Sequence, residues 1–163
     1  MEQDWRIMSE MTYNEKWSKS LTPYPSWKFT INTVKFIVHI TGGSVVILDK
    51  KTGATLNQIK GYTYLYTGDV NPDETELFAL ENGKHFYIIS LEDFTQKLRV
   101  TLPRFYESID VYGNFSSSGE FLYVPVYRYK NKRYEYCLCT YETKTYSLVS
   151  MEEDPYSQVA HWI

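Results

Sequence analysis

The sequence predicts an all-β fold of antiparallel strands arranged in about three related four-stranded units, and three observations carry that expectation. Short apolar runs of strand length alternate with turn residues along most of the chain. One stretch repeats without a gap, residues 35–59 (KFIVHITGGSVVILDKKTGATLNQI) overlaying residues 76–100 (ELFALENGKHFYIISLEDFTQKLRV) at an offset of 41. Aromatic residues make up 17% of the 163 residues, with 16 tyrosines, beside an ordinary charged fraction of 23%, which is the composition of a folded chain rich in strand formers.

The elements follow in order within a single domain, 1–163. Residues 1–26 read as a cap segment: Trp5, Met8, Met11 or Tyr13, and Trp17 have a loose helical spacing that predicts a short helix within 4–21, ended by Thr22-Pro23-Tyr24-Pro25. Unit one covers 27–61 and unit two 62–103. In each, an apolar run enters a glycine turn (Thr41-Gly42-Gly43, then Asn82-Gly83-Lys84), a second apolar run follows, and a polar turn leads to a weaker third run. Unit three, 104–151, repeats the order from residue 120 with FLYVPVYRY, a longer hairpin through Lys130-Asn131-Lys132-Arg133, then YEYCLCTY and TYSLV. Residues 152–163, containing QVAHWI, predict an extra strand.

Two turn motifs sharpen the repeat. DVNPDETEL (69–77) aligns with NFSSSGEFL (114–122) at an offset of 45; such a segment ends an inner strand and turns tightly into an apolar pair. It resembles the "SPDG" turn between the first two strands of WD40-like blades. Asp49-Lys50-Lys51-Thr52-Gly53 resembles the D-x-x-T-G turn between the third and fourth strands, where the other copies carry Ser90-Leu91-Glu92-Asp93-Phe94 and Tyr141-Glu142-Thr143-Lys144. The chain therefore resembles the β-propeller superfamily at large (WD40-like, YVTN-like), and the absence of Gly-His and Trp-Asp dipeptides leaves a true WD40 assignment unsupported. The resemblance implies about three blades, where closed propellers have four to eight. Open edges would then need cover: two chains could pair as a homodimer into a six-bladed ring, the chain could be part of a longer protein, or the three units could make an open or differently closed sheet. With the Met1 start and the lack of a C-terminal tail read as an intact small protein, self-association is the favoured expectation. A β-sandwich or an up-and-down barrel would keep the same strands and turns.

Net charge −3 and pI near 5.6 provide no electrostatic footprint for nucleic acid. No apolar run approaches the length of a spanning helix, and the start lacks the features of a leader, so the expectation is a cytoplasmic protein without membrane contact. Cys137 and Cys139, two apart on one strand face, read as reduced small hydrophobes, since they cannot bridge each other within a strand. No cofactor or metal is expected: the Asp69-x-Asn71-x-Asp73 run lacks the glycine and the final glutamate of a calcium loop, and His39, His85 and His161 have no ligand spacing. Lys51-Thr52-Gly53 has no Ser-x-x-Lys partner, no nucleophile elbow is present, and nothing specifies an enzyme. Asn114-Phe115-Ser116 is a sequon only in letters.

Tyr62, Tyr64 and Tyr66 alternate, which would place three rings on one face of an inner strand, and Tyr123, Tyr127 and Tyr129 with Phe121 form a second row. Such rows serve either as core filling or as surfaces that stack on sugars and anchor peptides. The function expected from the resemblance is a non-catalytic module that binds a protein or peptide. The alternative is an enzyme or carbohydrate-binding protein with an axial site drawing on Asp69, Asp110 and the tyrosines. The candidate ligand residues are Tyr62, Tyr64, Tyr66, Asp69 and Asp110.

Overall fold

The computed structural model describes residues 28–108 and 112–153, and this part is all antiparallel β with no helix. The first sheet is β1 (Lys28–Asn32), β2 (Phe36–Thr41), β3 (Ser44–Asp49) and β4 (Thr55–Lys60), neighbours in that order. The second is β5 (Leu65–Val70), β6 (Glu76–Glu81), β7 (His85–Ser90) and β8 (Gln96–Thr101). After a two-residue strand β9 (Glu107–Ser108) comes the third: β10 (Asn114–Phe115), β11 (Phe121–Lys130), β12 (Arg133–Glu142) and β13 (Leu148–Glu153), with β9 pairing on β11. Short turns make each strand pair with its successor, and the three meanders stack face to face as blades. β5, the inner strand of blade 2, lies against β1 and β2 of blade 1 and against β10 of blade 3. The expected helix within 4–21 and the continuation past 153 lie outside the described residues.

Two cores hold the stack. Val38, Ile40, Val45 and Ile47 of blade 1 pack on Leu77, Ala79, Tyr87 and Ile89 of blade 2. From the other face of blade 2, Phe78, Leu80, Phe86 and Ile88 pack on Leu122, Val124, Val126, Cys139 and Tyr141 of blade 3. Blade 2 is thus buried on both faces, which is why its central strands read as unbroken apolar runs rather than as alternation. The outer strands β4 and β8 are largely exposed and carry Lys60, Lys97 and Arg99, charges that blunt their unpaired edges.

The 41-residue offset holds for β3 with β7 and β4 with β8, but β2 and β6 start at Phe36 and Glu76, one residue closer. The pairs Val38↔Ile47 and Phe78↔Ile88 make Val38 equivalent to Phe78, so the second hairpin holds one extra residue. The gap-free overlay slips the first run by one and exchanges its faces.

Blades 2 and 3 share two devices that join each to the blade before it. The first is a glycine in the inner strand of blade 2 and immediately before that of blade 3. A Cβ on Gly68 would lie 2.3 Å from the Phe78 carbonyl oxygen and 2.8 Å from Ile40 Cδ1, and one on Gly113 would lie 2.9 Å from Phe78 Cε1. At the matching register blade 1 has Thr30, whose Oγ1 is 3.1 Å from His39 Nδ1. The second device sits in the turn before the outer strand, where Gly53 (φ 75), Phe94 (φ 62) and Tyr146 (φ 57) take the same left-handed conformation. Glycine does so freely, whereas an aromatic residue there costs on the order of 1–2 kcal/mol. Packing offsets that strain. The Phe94 ring meets Phe36 of blade 1 at 5.9 Å, and buried Tyr146 contacts the Phe86 ring and donates to Glu76 Oε1 of blade 2 at 2.7 Å. Thr52 donates from its amide and hydroxyl to Asp49 Oδ1, and Thr145 does the same to Glu142 Oε1, so the third copy keeps the turn with Glu142 in place of the aspartate.

Candidate interaction surface

The β11–β12 hairpin departs from the blade pattern. Its strands are ten residues each, against six in the matching hairpins of blades 1 and 2, and they pair without interruption from Phe121↔Glu142 to Lys130↔Arg133. A two-residue turn closes it, with Asn131 (φ 53) and Lys132 (φ 64) both left-handed, the geometry that matches the natural twist of a hairpin. One face carries the interblade core as far as Val126 and Cys137, then changes to Arg128, Lys130, Arg133 and Glu135, so the hairpin stops packing on blade 2 and runs out as an arm.

Its other face holds tyrosines in cross-strand pairs, Tyr127↔Tyr136 and Tyr129↔Tyr134. Ring centroids are 5.0 Å apart for Tyr129 and Tyr134 and 5.8 Å for Tyr127 and Tyr134, distances at which aromatic pairs stiffen a ribbon. On the charged face Arg128 Nε donates to Glu135 Oε2 at 2.5 Å, which holds the Glu135 carboxyl below its ordinary range. The Arg128 guanidinium also sits 5.0 Å over the Tyr106 ring, whose hydroxyl accepts from the Cys137 thiol at 3.8 Å. These contacts brace the root of the arm, and its tip is exposed at every position from 129 to 134. Tyr129 is 62% and Tyr134 57% exposed, and Phe105, 70% exposed, shares with Arg128, Tyr129 and Lys130 a notch of about 340 Å³. A second cleft of about 380 Å³ lies along the arm, with Tyr106, Arg133, Tyr134 and Glu153 in its walls.

The sequence-predicted residues are placed differently. β5 begins only at Leu65, and its register shifts between Leu65 and Thr67, so Tyr62, Tyr64 and Tyr66 do not share a strand face. Tyr62 packs at the margin of the core between blades 1 and 2, 4.7 Å from the Tyr87 ring, and donates to Gln96 Oε1 at 2.8 Å; burial pushes its phenol up to about 12. Tyr66 is buried in the other core, and Tyr64 is 53% exposed. Asp69 is half-buried between inner strands, where its two oxygens accept the amides of Phe115 (2.8 Å) and Val70 (3.0 Å); burial raises its pKa and these hydrogen bonds oppose the rise. It clamps blade 3 to blade 2. Asp110 lies outside the described residues.

Among the described residues no group of three or more His, Cys, Asp or Glu is placed to hold a metal ion. Asn71 instead organises its own turn, its Oδ1 accepting the amides of Thr75 and Glu76. Cys137 and Cys139 are free thiols on one face of β12, and burial pushes Cys139 up to about 12. No helix among the described residues is long and apolar enough to cross a membrane.

The aromatic row of β11 was legible in the sequence, but its partners Tyr134 and Tyr136 were not read with it. The signal was the near-palindrome YRYKNKRYEY around a two-residue turn, which pairs tyrosine with tyrosine once the turn is centred on Asn131-Lys132.

No protein-family model matches the chain, and no curated protein does. Solved structures do match it, at low identity. Hydrazine synthase of Kuenenia stuttgartiensis is similar at 12% identity and a TM-score of 0.60, over 74% of this chain and 33% of that one. U3-55K is similar at 15% identity and a TM-score of 0.59, over 74% and 36%. The β-propeller domain of Myceliophteria thermophila Cps50 (Swd1) is similar at 17% identity and a TM-score of 0.60, over 77% and 42%. The chain has the blade architecture of β-propellers and spans about a third to two-fifths of the length of these three.

Proposed function

We propose that this chain is a non-catalytic interaction module in which three propeller-type blades form a rigid base and the β11–β12 arm meets a protein or peptide partner. The observation that carries the reading is the arm itself: strands four residues longer than their counterparts, ending in consecutive exposed residues that include the facing pair Tyr129 and Tyr134. Contiguous exposed aromatics on an ordered ribbon mark interaction sites, because tyrosine supplies a large rigid contact area at small entropic cost. Two of the five residues offered for an axial site serve the scaffold: Asp69 spends both oxygens on backbone amides, and Tyr66 fills a core.

A photo-crosslinking amino acid at position 134, with the same probe at exposed Val34 as reference, tests this in extract of the source cells. A discrete adduct at 134, competed by unlabelled protein and missing at 34, is the expected result. No discrete adduct at 134, or the same adducts at both positions, would remove the arm as the binding element.

A further inference from the structure

We infer that the tip of the β11–β12 arm docks an extended acidic segment of a partner protein, whose carboxylates meet Lys130, Lys132 and Arg133 while an apolar side chain seats in the notch beside Phe105 and Tyr129. This deepens the interaction-module reading and rests on it.

The first argument is charge. The chain is net negative at −3, yet four of its 17 basic residues fall within Arg128–Arg133, and Arg104 adjoins the notch through Phe105, its guanidinium 4.7 Å over that ring. Arg128 is neutralised by Glu135, whereas Lys130, Lys132 and Arg133 enter no ion pair among the described residues and are exposed. A local cationic tip on an acidic molecule selects a short anionic partner, because complementary charge steers encounter and suppresses wrong partners. A long phosphodiester would also meet the repulsive field of the rest of the chain, and nothing else supplies the broad basic footprint that nucleic-acid binding uses.

The second argument is the turn. Lys132 occupies the second left-handed position of the hairpin turn, where glycine is the favoured residue. Phe94 and Tyr146 take the same conformation and are compensated by burying their rings against the preceding blade. Lys132 is exposed and has no such compensation, so the turn sacrifices stability to keep a charge at its apex. The third argument is shape. The notch puts two exposed aromatic rings, Phe105 and Tyr129, beside Lys130, with Arg128 already held by Glu135, which suits an apolar side chain next to a carboxylate.

The test uses the whole chain and fluorescein-labelled synthetic peptides read by anisotropy: an acidic set with Asp and Glu interleaved with Phe, Leu and Pro, the same peptides with Asn and Gln in place of the acids, a lysine-substituted set, and oligothymidylate. Acidic peptides are expected to bind, more weakly as salt rises. Lys130→Glu with Arg133→Glu should weaken binding more than tenfold. Lys132→Gly should weaken it roughly threefold, as expected for one exposed ion pair, while the protein melts at or above the parent temperature, which separates lost recognition from lost folding. Neutral or lysine peptides binding as tightly, in an arm-dependent way, would overturn the acidic assignment and leave the module standing. Oligothymidylate binding in preference to every peptide would overturn it in favour of single-stranded nucleic acid, and a failure of all probes would remove the acidic-segment assignment, the module itself standing or falling by the crosslink at 134.

Discussion

The β6–β7 hairpin of blade 2 and the β11–β12 hairpin of blade 3 hold the same place in their sheets and are finished in opposite ways. In blade 2 the hairpin is latched. Glu81 Oε2 lies 2.9 Å from His85 Nδ1, Tyr87 donates to Glu81 Oε1 at 3.0 Å, and Arg99 Nη2 donates to His85 Nε2 at 2.9 Å, an arrangement that assigns the imidazole its proton at Nδ1. Ser108 of β9 then accepts the Gly83 amide at 3.0 Å and donates to the Glu81 carbonyl at 2.6 Å. In blade 3 the matching hairpin runs four residues further, is braced only at its root, and presents its tip to solvent. One blade topology thus yields a latched hairpin end in blade 2 and an exposed one in blade 3, the difference being made by lengthening two strands and leaving the scaffold unchanged.

The largest way to sharpen this contrast is Phe86→Ala against Tyr134→Ala. Phe86 is fully buried and meets Phe78, Tyr141 and Tyr146, so its truncation should cost about 3–5 kcal/mol in denaturant unfolding. Tyr134→Ala should stay within about 0.5 kcal/mol. Equal losses would show the arm to be structural. Glu81→Gln breaks the latch by removing the charge that two side chains share, with about 1–2 kcal/mol expected and early loss of hydrogen-exchange protection at the β6–β7 turn; unchanged exchange there would mean the latch holds nothing.

Thr67 has a fully buried hydroxyl with no hydrogen-bond partner among the described residues, so Thr67→Val should leave stability equal or raise it by up to about 1–2 kcal/mol. A clear loss would reveal a partner for that hydroxyl. The smallest effect belongs to pH. Hydrogen bonds from Thr52, Thr95 and Thr145 hold Asp49, Asp93 and Glu142 below their ordinary values of 3.8, 3.8 and 4.5. A depressed carboxylate contributes stability above its unfolded pKa and loses it as pH falls through the lower folded value. Acid titration of the stability of an Asp49→Asn, Glu142→Gln variant should therefore show a shallower decline below about pH 4 than the parent, and an identical decline would assign the acid sensitivity elsewhere.

Much of this fold could be read from sequence because its turns are built by local chemistry. Asp49 with Thr52, and the offset linking Val45 to Phe86 and Ile47 to Ile88, depend on neighbours in the chain, and they led to the right strands. The errors are shifts of a residue or two where side-chain parity decides the face. The extra residue in the β6–β7 hairpin exchanged the faces of the first run in the overlay, and Tyr62, Tyr64 and Tyr66 looked like one surface although β5 begins only at Leu65 and shifts register between Leu65 and Thr67. The third D-x-x-T-G-type turn was missed because β12 extends to Glu142, which makes Glu142 and Thr145 the matching pair and Tyr146 the counterpart of Gly53. The arm was half legible: alternation exposed the row on β11, but pairing it with β12 required knowing where the turn was centred.

The interblade joint has a direction. A trailing blade contributes a hollow, at Gly68 or Gly113, and a plug, Phe94 or Tyr146, and the leading blade receives both; blade 1 has Thr30 and Gly53 at the two places. Blade 1 thus lacks both halves of the joint that blades 2 and 3 carry, a distinction of grammar that composition does not reveal. Head-to-tail closure by a second copy would seat blade 3 against a blade that has neither hollow nor plug, so light scattering should return the 19.3 kDa of one chain. An engineer extending the stack would add the next unit after blade 3, or would first rewrite Thr30 as glycine and Gly53 as an aromatic residue to give blade 1 the missing half of the joint.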